Sequence, residues 1–137
     1  MNKVYLLDAC ALLALFKGEE GAAVVAQAYK EARSGQAQLL MNRVNLYEVY
    51  YDAIRDKGID YAEMLARSVE ESVVSICEFD RAVFTKAGPI KATYKVSLAD
   101  SIALAQAMVL NANFLTSDHH EFDVIEGKEP IRFQWIR

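Results

Sequence analysis

Short apolar runs alternate with longer segments of helical period along the whole chain, and this alternation constrains the fold more than any other feature. The runs are Val4-Tyr5-Leu6-Leu7, Leu39-Leu40-Met41, Val73-Val74-Ser75-Ile76-Cys77 and Phe114-Leu115-Thr116. Each is short enough for a buried strand and too short for a buried helix. Between them lie segments with apolar residues three and four apart, such as Leu46, Val49, Tyr50 and Ile54. Strands that alternate with helices cannot pair as hairpins. They pair in parallel, with the helices covering both faces. The expected fold is therefore an α/β domain with three α/β/α layers around a central, mainly parallel sheet.

The punctuation gives the boundaries. Strands are expected over 3–7, 38–41, 73–77 and 113–116, with a last one over 131–135. Helices are expected over 9–16, 19–33, 44–57, 61–71 and 98–110, with a turn or short helix over 119–122. Lys17-Gly18, Ser34-Gly35 and Gly58 read as helix stops. Asp60 reads as the N-cap of the helix over 61–71 and Asp80 as the cap of another helix, in which Gly88-Pro89 predicts a kink or break. No strand separates the helices of 44–71, so they are expected to protrude as an αα-hairpin. A chain of 137 residues without repeats, low-complexity stretches or linkers is expected to form one domain over 1–137.

Bulk chemistry excludes several classes. The chain is 53% apolar and 25% charged, which is a globular rather than a disordered balance. A net charge of −4 argues against a basic nucleic-acid binder, although a bound cation can still recruit phosphate. Cys10 and Cys77 lack metal-ligand spacing and read as free thiols of a reducing compartment. No uncharged run reaches the roughly 18 residues of a membrane span, and nothing resembles a signal peptide. A soluble, cytoplasmic protein is expected, with no membrane partner.

Four acids carry the chemistry. Asp8 closes the first apolar run, Glu48 follows the second, Asp100 opens the most apolar helix and Asp118 closes Phe114-Leu115-Thr116-Ser117. In parallel α/β sheets, strand ends and helix starts share one edge, where ligands bind. Acids delivered there by four separate connections would repel one another unless a cation lay between them. Local explanations exist for three. Asn45 to Glu48 and Ser97 to Asp100 have capping-box spacing, and Asp118 suits an N-cap or turn. Asp8 has no such explanation, lying between a buried strand and the run Ala9-Cys10-Ala11-Leu12-Leu13. Carboxylates without a His/Cys cluster favour Mg²⁺ or Mn²⁺ over zinc.

The segments LLDACALLAL, SLADSIALAQAM and FLTSDHHEFD, together with the helical Glu48, resemble the PIN-domain ribonucleases. Within that family they look most like the single-domain VapC-type toxins of bacterial and archaeal toxin–antitoxin pairs. The resemblance runs through essentially the whole chain, in order and spacing. It implies an Mg²⁺- or Mn²⁺-dependent endoribonuclease. Asp8, Asp100 and Asp118 would be metal-site aspartates, Glu48 would assist the metal or its waters, and Thr116 would orient groups in the site. It also implies an RNA substrate, a cognate antitoxin and a homodimer. In such proteins the position two after the first Asp is often Ser; here it is Cys10.

Further candidates surround this set. Glu121 and Asp123 are spare acids near Asp118. His119 and His120 read more simply as a solvated turn than as proton donors. Among Lys17, Arg43, Lys86, Lys91 and Lys95, Arg43 is the best candidate for RNA contact, because it immediately precedes the Glu48 helix. Tyr47, Tyr50 and Tyr51 make that helix aromatic enough for core packing or a protein interface. Two rivals stand beside the nuclease. One is another Mg²⁺-dependent phosphate hydrolase, disfavoured in its aspartyl-nucleophile form because Cys10 occupies the place of a second Asp. The other is a non-catalytic module that binds RNA or a partner.

Overall fold

The computed structural model describes residues 3–137. Five parallel strands form one sheet: β1 (Lys3–Leu7), β2 (Ala37–Asn42), β3 (Ser75–Cys77), β4 (Asn113–Thr116) and β5 (Arg132–Trp135), in the order β3-β2-β1-β4-β5. Every pairing is parallel, so "mainly parallel" becomes wholly parallel. The helices are α1 (Ala9–Lys17), α2 (Ala22–Arg33), α3 (Arg43–Lys57), α4 (Ile59–Glu70), α5 (Arg81–Thr93), α6 (Leu98–Leu110) and α7 (His119–Phe122).

Strand alternation divides the core into two. Tyr5, Leu7, Leu39 and Met41 point to one face, where they pack with α1, α2, α3 and α4 through residues such as Leu12, Val25, Val49 and Leu65. Leu6 and Phe114 point to the other, where Ile90 of α5, Leu104 of α6 and Phe122 of α7 cover them. This is the three-layer arrangement that the period-2 runs demand.

Several local expectations are corrected. The α5 helix runs unbroken through Gly88-Pro89. Its Val83, Ala87 and Ile90 are buried on one stripe, while Thr85, Gly88 and Pro89 face solvent. The carbonyl of Thr85, deprived of its amide partner, can therefore bond to water. Gly88 also lacks the Cβ that would crowd the proline ring. The α4 helix begins at Ile59, with Gly58 at its N-cap and Asp60 inside its first turn. There Asp60 favours the positive end of the helix without capping it. The segment 19–21 is a turn, and α2 starts only at Ala22. As expected, α3 and α4 form an αα-hairpin, in which α4 packs chiefly on α3 and buries Ala62, Leu65 and Val69.

Gly21 shows how tightly the C-terminal strand end is held. It has φ +97°, and a Cβ there would lie 2.7 Å from the carbonyl oxygen of Ile136. Gly21→Ala is expected to lower stability by about 2 kcal/mol from backbone strain and this clash, as read from the urea unfolding midpoint.

Candidate metal and nuclease site

The strand order reverses direction on either side of β1: β2 and β3 lie to one side, β4 and β5 to the other. The C-terminal ends of β1 and β4 thus border the crevice where parallel sheets bind ligands. Leu7 pairs with Leu115, so the next step in each strand brings Asp8 beside Thr116. Asp8 is the N-cap of α1 and is 2% exposed. Its Oδ1 accepts the amide of Ala11 at 2.8 Å, and its Oδ2 accepts the Thr116 hydroxyl at 2.5 Å. The Thr116 oxygen in turn accepts the amide of Asp118 at 3.1 Å. One hydroxyl therefore orients both strand-end acids. Asp118 completes the chain by capping the amide of Glu121 at 3.1 Å.

The other two acids come from within helices, not from strand-to-helix junctions. Glu48 lies in the second turn of α3. Asn42, not Asn45, caps that helix, through its Oδ1 and the amide of Val44 at 2.9 Å. Asp100 lies in the first turn of α6, where its amide donates to Ser97 Oγ at 3.1 Å. Only that half of the expected capping box forms. α6 follows α5, so no strand leads into Asp100.

Electrostatics ties the four together. Burial raises Asp8 to about 7, with further upward pressure from Asp118 and Glu48 and opposition from its two hydrogen bonds. Asp100 rises to about 7, chiefly through burial and then through Asp118, with Glu48 and Asp8 adding to the effect. Burial and then Asp118 raise Glu48, against the Asn45 amide. Cys10 records the same field. Its thiol is pushed up to about 12 by burial and then by Asp8, Asp118, Asp100 and Glu48. It is a neutral neighbour of the acids, not a nucleophile.

Four carboxylates thus bear on one space at the sheet edge. Among the described residues, no three His, Cys, Asp or Glu side chains close into a tight cage for an ion. An open set of hard oxygen donors suits Mg²⁺ or Mn²⁺, which retain several waters and need few direct protein ligands. It does not suit zinc, which takes a compact tetrahedral shell. The chemistry of the donor set is compatible with such an ion, and Asp8, Asp100, Asp118 and Glu48 are the residues that could hold it. None of the four acids lines the grooves of about 350 Å³, along Leu13, Phe16 and Tyr61, or about 370 Å³, along Phe79, Phe84 and Leu98.

The peripheral candidates separate. Arg43 forks between Glu70 at 2.6 Å and Glu78 at 3.1 Å, so a phosphate would have to displace two carboxylates to reach it. Lys17 lies 3.8 Å from Asp52. His119 stacks on Trp135 with centroids 3.9 Å apart, and its ring nitrogens meet Asp123 Oδ1 and the Arg137 carbonyl. That is the structural role expected of a turn, and it also occupies Asp123. One site neighbour lay outside the sequence reading. Asn45, taken there as a cap, is buried between α3 and α6. Its position three residues before Glu48, on the same helical face, was the available signal.

Thr116→Val removes the hydroxyl that links Asp8 to Asp118 while keeping the side-chain shape. It is expected to lower stability by about 1–3 kcal/mol and Mn²⁺ affinity by about 10–100-fold, measured by denaturant titration and calorimetry.

A fold with acids at the switch point of a parallel sheet defines a class, and comparison supplies the family. The PIN domain family model matches residues 5–128; the chain belongs to the PIN domain family. No curated relative matches the sequence. Among solved structures, the chain is similar to a DNA-bound VapBC from Salmonella typhimurium, with TM-score 0.77, 16% identity and 100% coverage of both chains. VapBC-1 from nontypeable Haemophilus influenzae aligns with TM-score 0.73 and 19% identity over 97% of this chain and 98% of that one. VapC20 from Mycobacterium tuberculosis, a sarcin–ricin loop cleaving toxin, aligns with TM-score 0.69 and 15% identity over 93% and 98%. At these identities the likeness is one of fold: the chain has the VapC-type PIN architecture. No helix among the described residues is long and apolar enough to cross a membrane.

Proposed function

We propose that this PIN domain is an Mg²⁺- or Mn²⁺-dependent endoribonuclease and the toxin of a toxin–antitoxin pair. The observation that carries the reading is the convergence of Asp8, Glu48, Asp100 and Asp118 on one sheet edge, where burial first, and then their mutual repulsion, raises Asp8 and Asp100 to about 7. When bound, the ion would offset charge on the phosphodiester and acidify nearby water. Asp8, Asp100 and Asp118 would hold it. Thr116 holds the Asp8 carboxylate in place by donating its hydroxyl to Oδ2. Glu48 would accept the proton of the attacking water as the new P–O bond forms and the bond to the leaving ribose oxygen breaks. Arg43 is a secondary candidate, for an RNA phosphate that displaces Glu70 or Glu78.

The partner readings rest on exposed apolar side chains. Tyr47 is 60% exposed and meets Tyr51 edge-on, and the groove at Leu13, Phe16 and Tyr61 lies between α1, α3 and α4. These surfaces suit an amphipathic segment of an antitoxin. Phe79, Phe84 and Leu98 form a second exposed cluster, which suits a homodimer. A toxin–antitoxin complex from Klebsiella pneumoniae is among the similar structures, at 21% identity.

The test is cleavage of a mixed RNA pool by the purified chain with Mg²⁺, with Mn²⁺ and with EDTA. Metal-dependent cuts at internal positions support the reading. RNA retention without turnover in either metal would favour the rival binding module, for which the open spacing of the acids is the favouring observation. Inhibition by a small protein encoded adjacently would support the toxin assignment, and the absence of any complex with such a protein would remove it.

A further inference from the structure

We infer that Asn45 is a positioning residue that fixes the span between the two helix-borne acids, Glu48 and Asp100. This inference rests on the metal-site reading above. Asn45 is 1% exposed. Its Nδ2 donates to Glu48 Oε1 at 3.3 Å and to the Ala99 carbonyl at 3.2 Å. Ala99 directly precedes Asp100, so one amide group joins the Glu48 carboxylate on α3 to the backbone that carries Asp100 on α6. Both N–H groups are then used, while Oδ1 has no hydrogen-bond partner.

The unpartnered oxygen is informative. Reversing the amide would point an oxygen at two acceptors, Glu48 and the Ala99 carbonyl, so the two donor bonds fix its orientation. Helical geometry already gives the Ala99 carbonyl a partner in the amide of Ala103, four residues on. The Asn45 bond to it is therefore additional, and its loss would leave no backbone group orphaned. A buried acceptor without a partner opposes folding. As a structural link, Asn45 is weak. As a spacer between two acids on different helices, it does what an apolar residue of the same volume cannot.

The experiment compares the wild-type chain with Asn45→Leu, Asn45→Ser, Glu48→Gln and the Asn45→Leu/Glu48→Gln double variant. Calorimetry with Mn²⁺ alone gives affinity, thermal melting gives fold, and RNA cleavage gives kcat and KM. Asn45→Leu is expected to weaken Mn²⁺ about tenfold and to lower kcat with little change in KM. Its melting temperature in the absence of metal should shift by less than about 5 °C. The double variant should bind Mn²⁺ no more weakly than Glu48→Gln, because the two residues act as one unit. Asn45→Ser, which is smaller and has a single donor hydrogen that cannot serve both Glu48 and the Ala99 carbonyl, tests the same loss if the Leu variant does not fold. Wild-type Mn²⁺ affinity in either folded variant, or fully additive losses in the double variant, would overturn the assignment while leaving the metal site intact. Failure of the wild-type chain to bind Mn²⁺ at all would overturn both.

Discussion

Asp8→Asn is expected to abolish RNA cleavage, lowering the rate by more than about 10³-fold, while the chain stays folded. The two consequences have one origin. Asn keeps an oxygen that can still cap the amide of Ala11, as Asp8 Oδ1 does at 2.8 Å, so α1 keeps its start. It removes the buried charge that the fold accommodates only against desolvation and against Asp118 and Glu48. The measurement pairs a cleavage assay with thermal melting of both proteins without metal at about pH 8, where the wild-type carboxylate is ionised. The variant should melt no lower than the wild type. Cleavage by the folded variant at the wild-type rate would remove Asp8 from the reaction, and collapse of the fold would show it to be structural.

The second large effect is a stability profile that inverts the usual carboxylate behaviour. Asp8 and Asp100 rise from 3.8 to about 7 in the folded chain. Across that interval the folded state holds more protons than the unfolded state, so stability is greatest on the acid side and falls as pH rises toward and through about 7. For the buried Asp8, the loss is on the order of 4 kcal/mol. Exposed His119, raised by the Arg137 carbonyl and Asp123, contributes in the same direction. Asp8→Asn and Asp100→Asn isolate the carboxylate part by flattening it. Mn²⁺ at about a hundred times its dissociation constant should restore the melting temperature at about pH 8 by roughly 10 °C. A metal-free melting temperature that climbs between about pH 5 and about pH 8 would contradict the buried-acid account.

How far the chain could be read in advance depended on where burial and local propensity agreed. β1 and β4 were legible to the residue because each apolar run ends at a polar group that has its own role: Asp8 at one, and Ser117 leading to Asp118 at the other. α6 was equally plain, from Ser97 onward. Where the two disagreed, local rules misled. Gly88-Pro89 carries a strong breaker signal, but a buried stripe on the opposite side of α5 overrides it. Asn42 and Asn45 are equally good caps on paper. The strand register placed Asn42 at the end of β2, leaving Asn45 one turn inside the helix. The four candidate acids could be grouped from the sequence because their number exceeded what capping could explain, and in the fold they bear on one another electrostatically. Two of the connections that carry them were not legible, since helix-to-helix packing brings in Glu48 and Asp100, and packing leaves no short-range mark. The ion pairs of Arg43 depend on Glu70 and Glu78, 27 and 35 residues away, and no local pattern announces such partners.

The hydroxyl bond from Thr116 to Asp8 spans 108 residues of sequence. During synthesis, the first acid leaves the ribosome long before the strand that aims it. A nascent or prematurely terminated chain would therefore carry Asp8 without Thr116, Asp118 or the crevice between β1 and β4. Closing so distant a contact is slow relative to forming the helices between. Competence to cut would thus arrive late, as β4 docks beside β1. If the chain cuts RNA as proposed, that order of events would keep the message that encodes it, and the ribosome translating it, beyond its reach until synthesis is nearly complete.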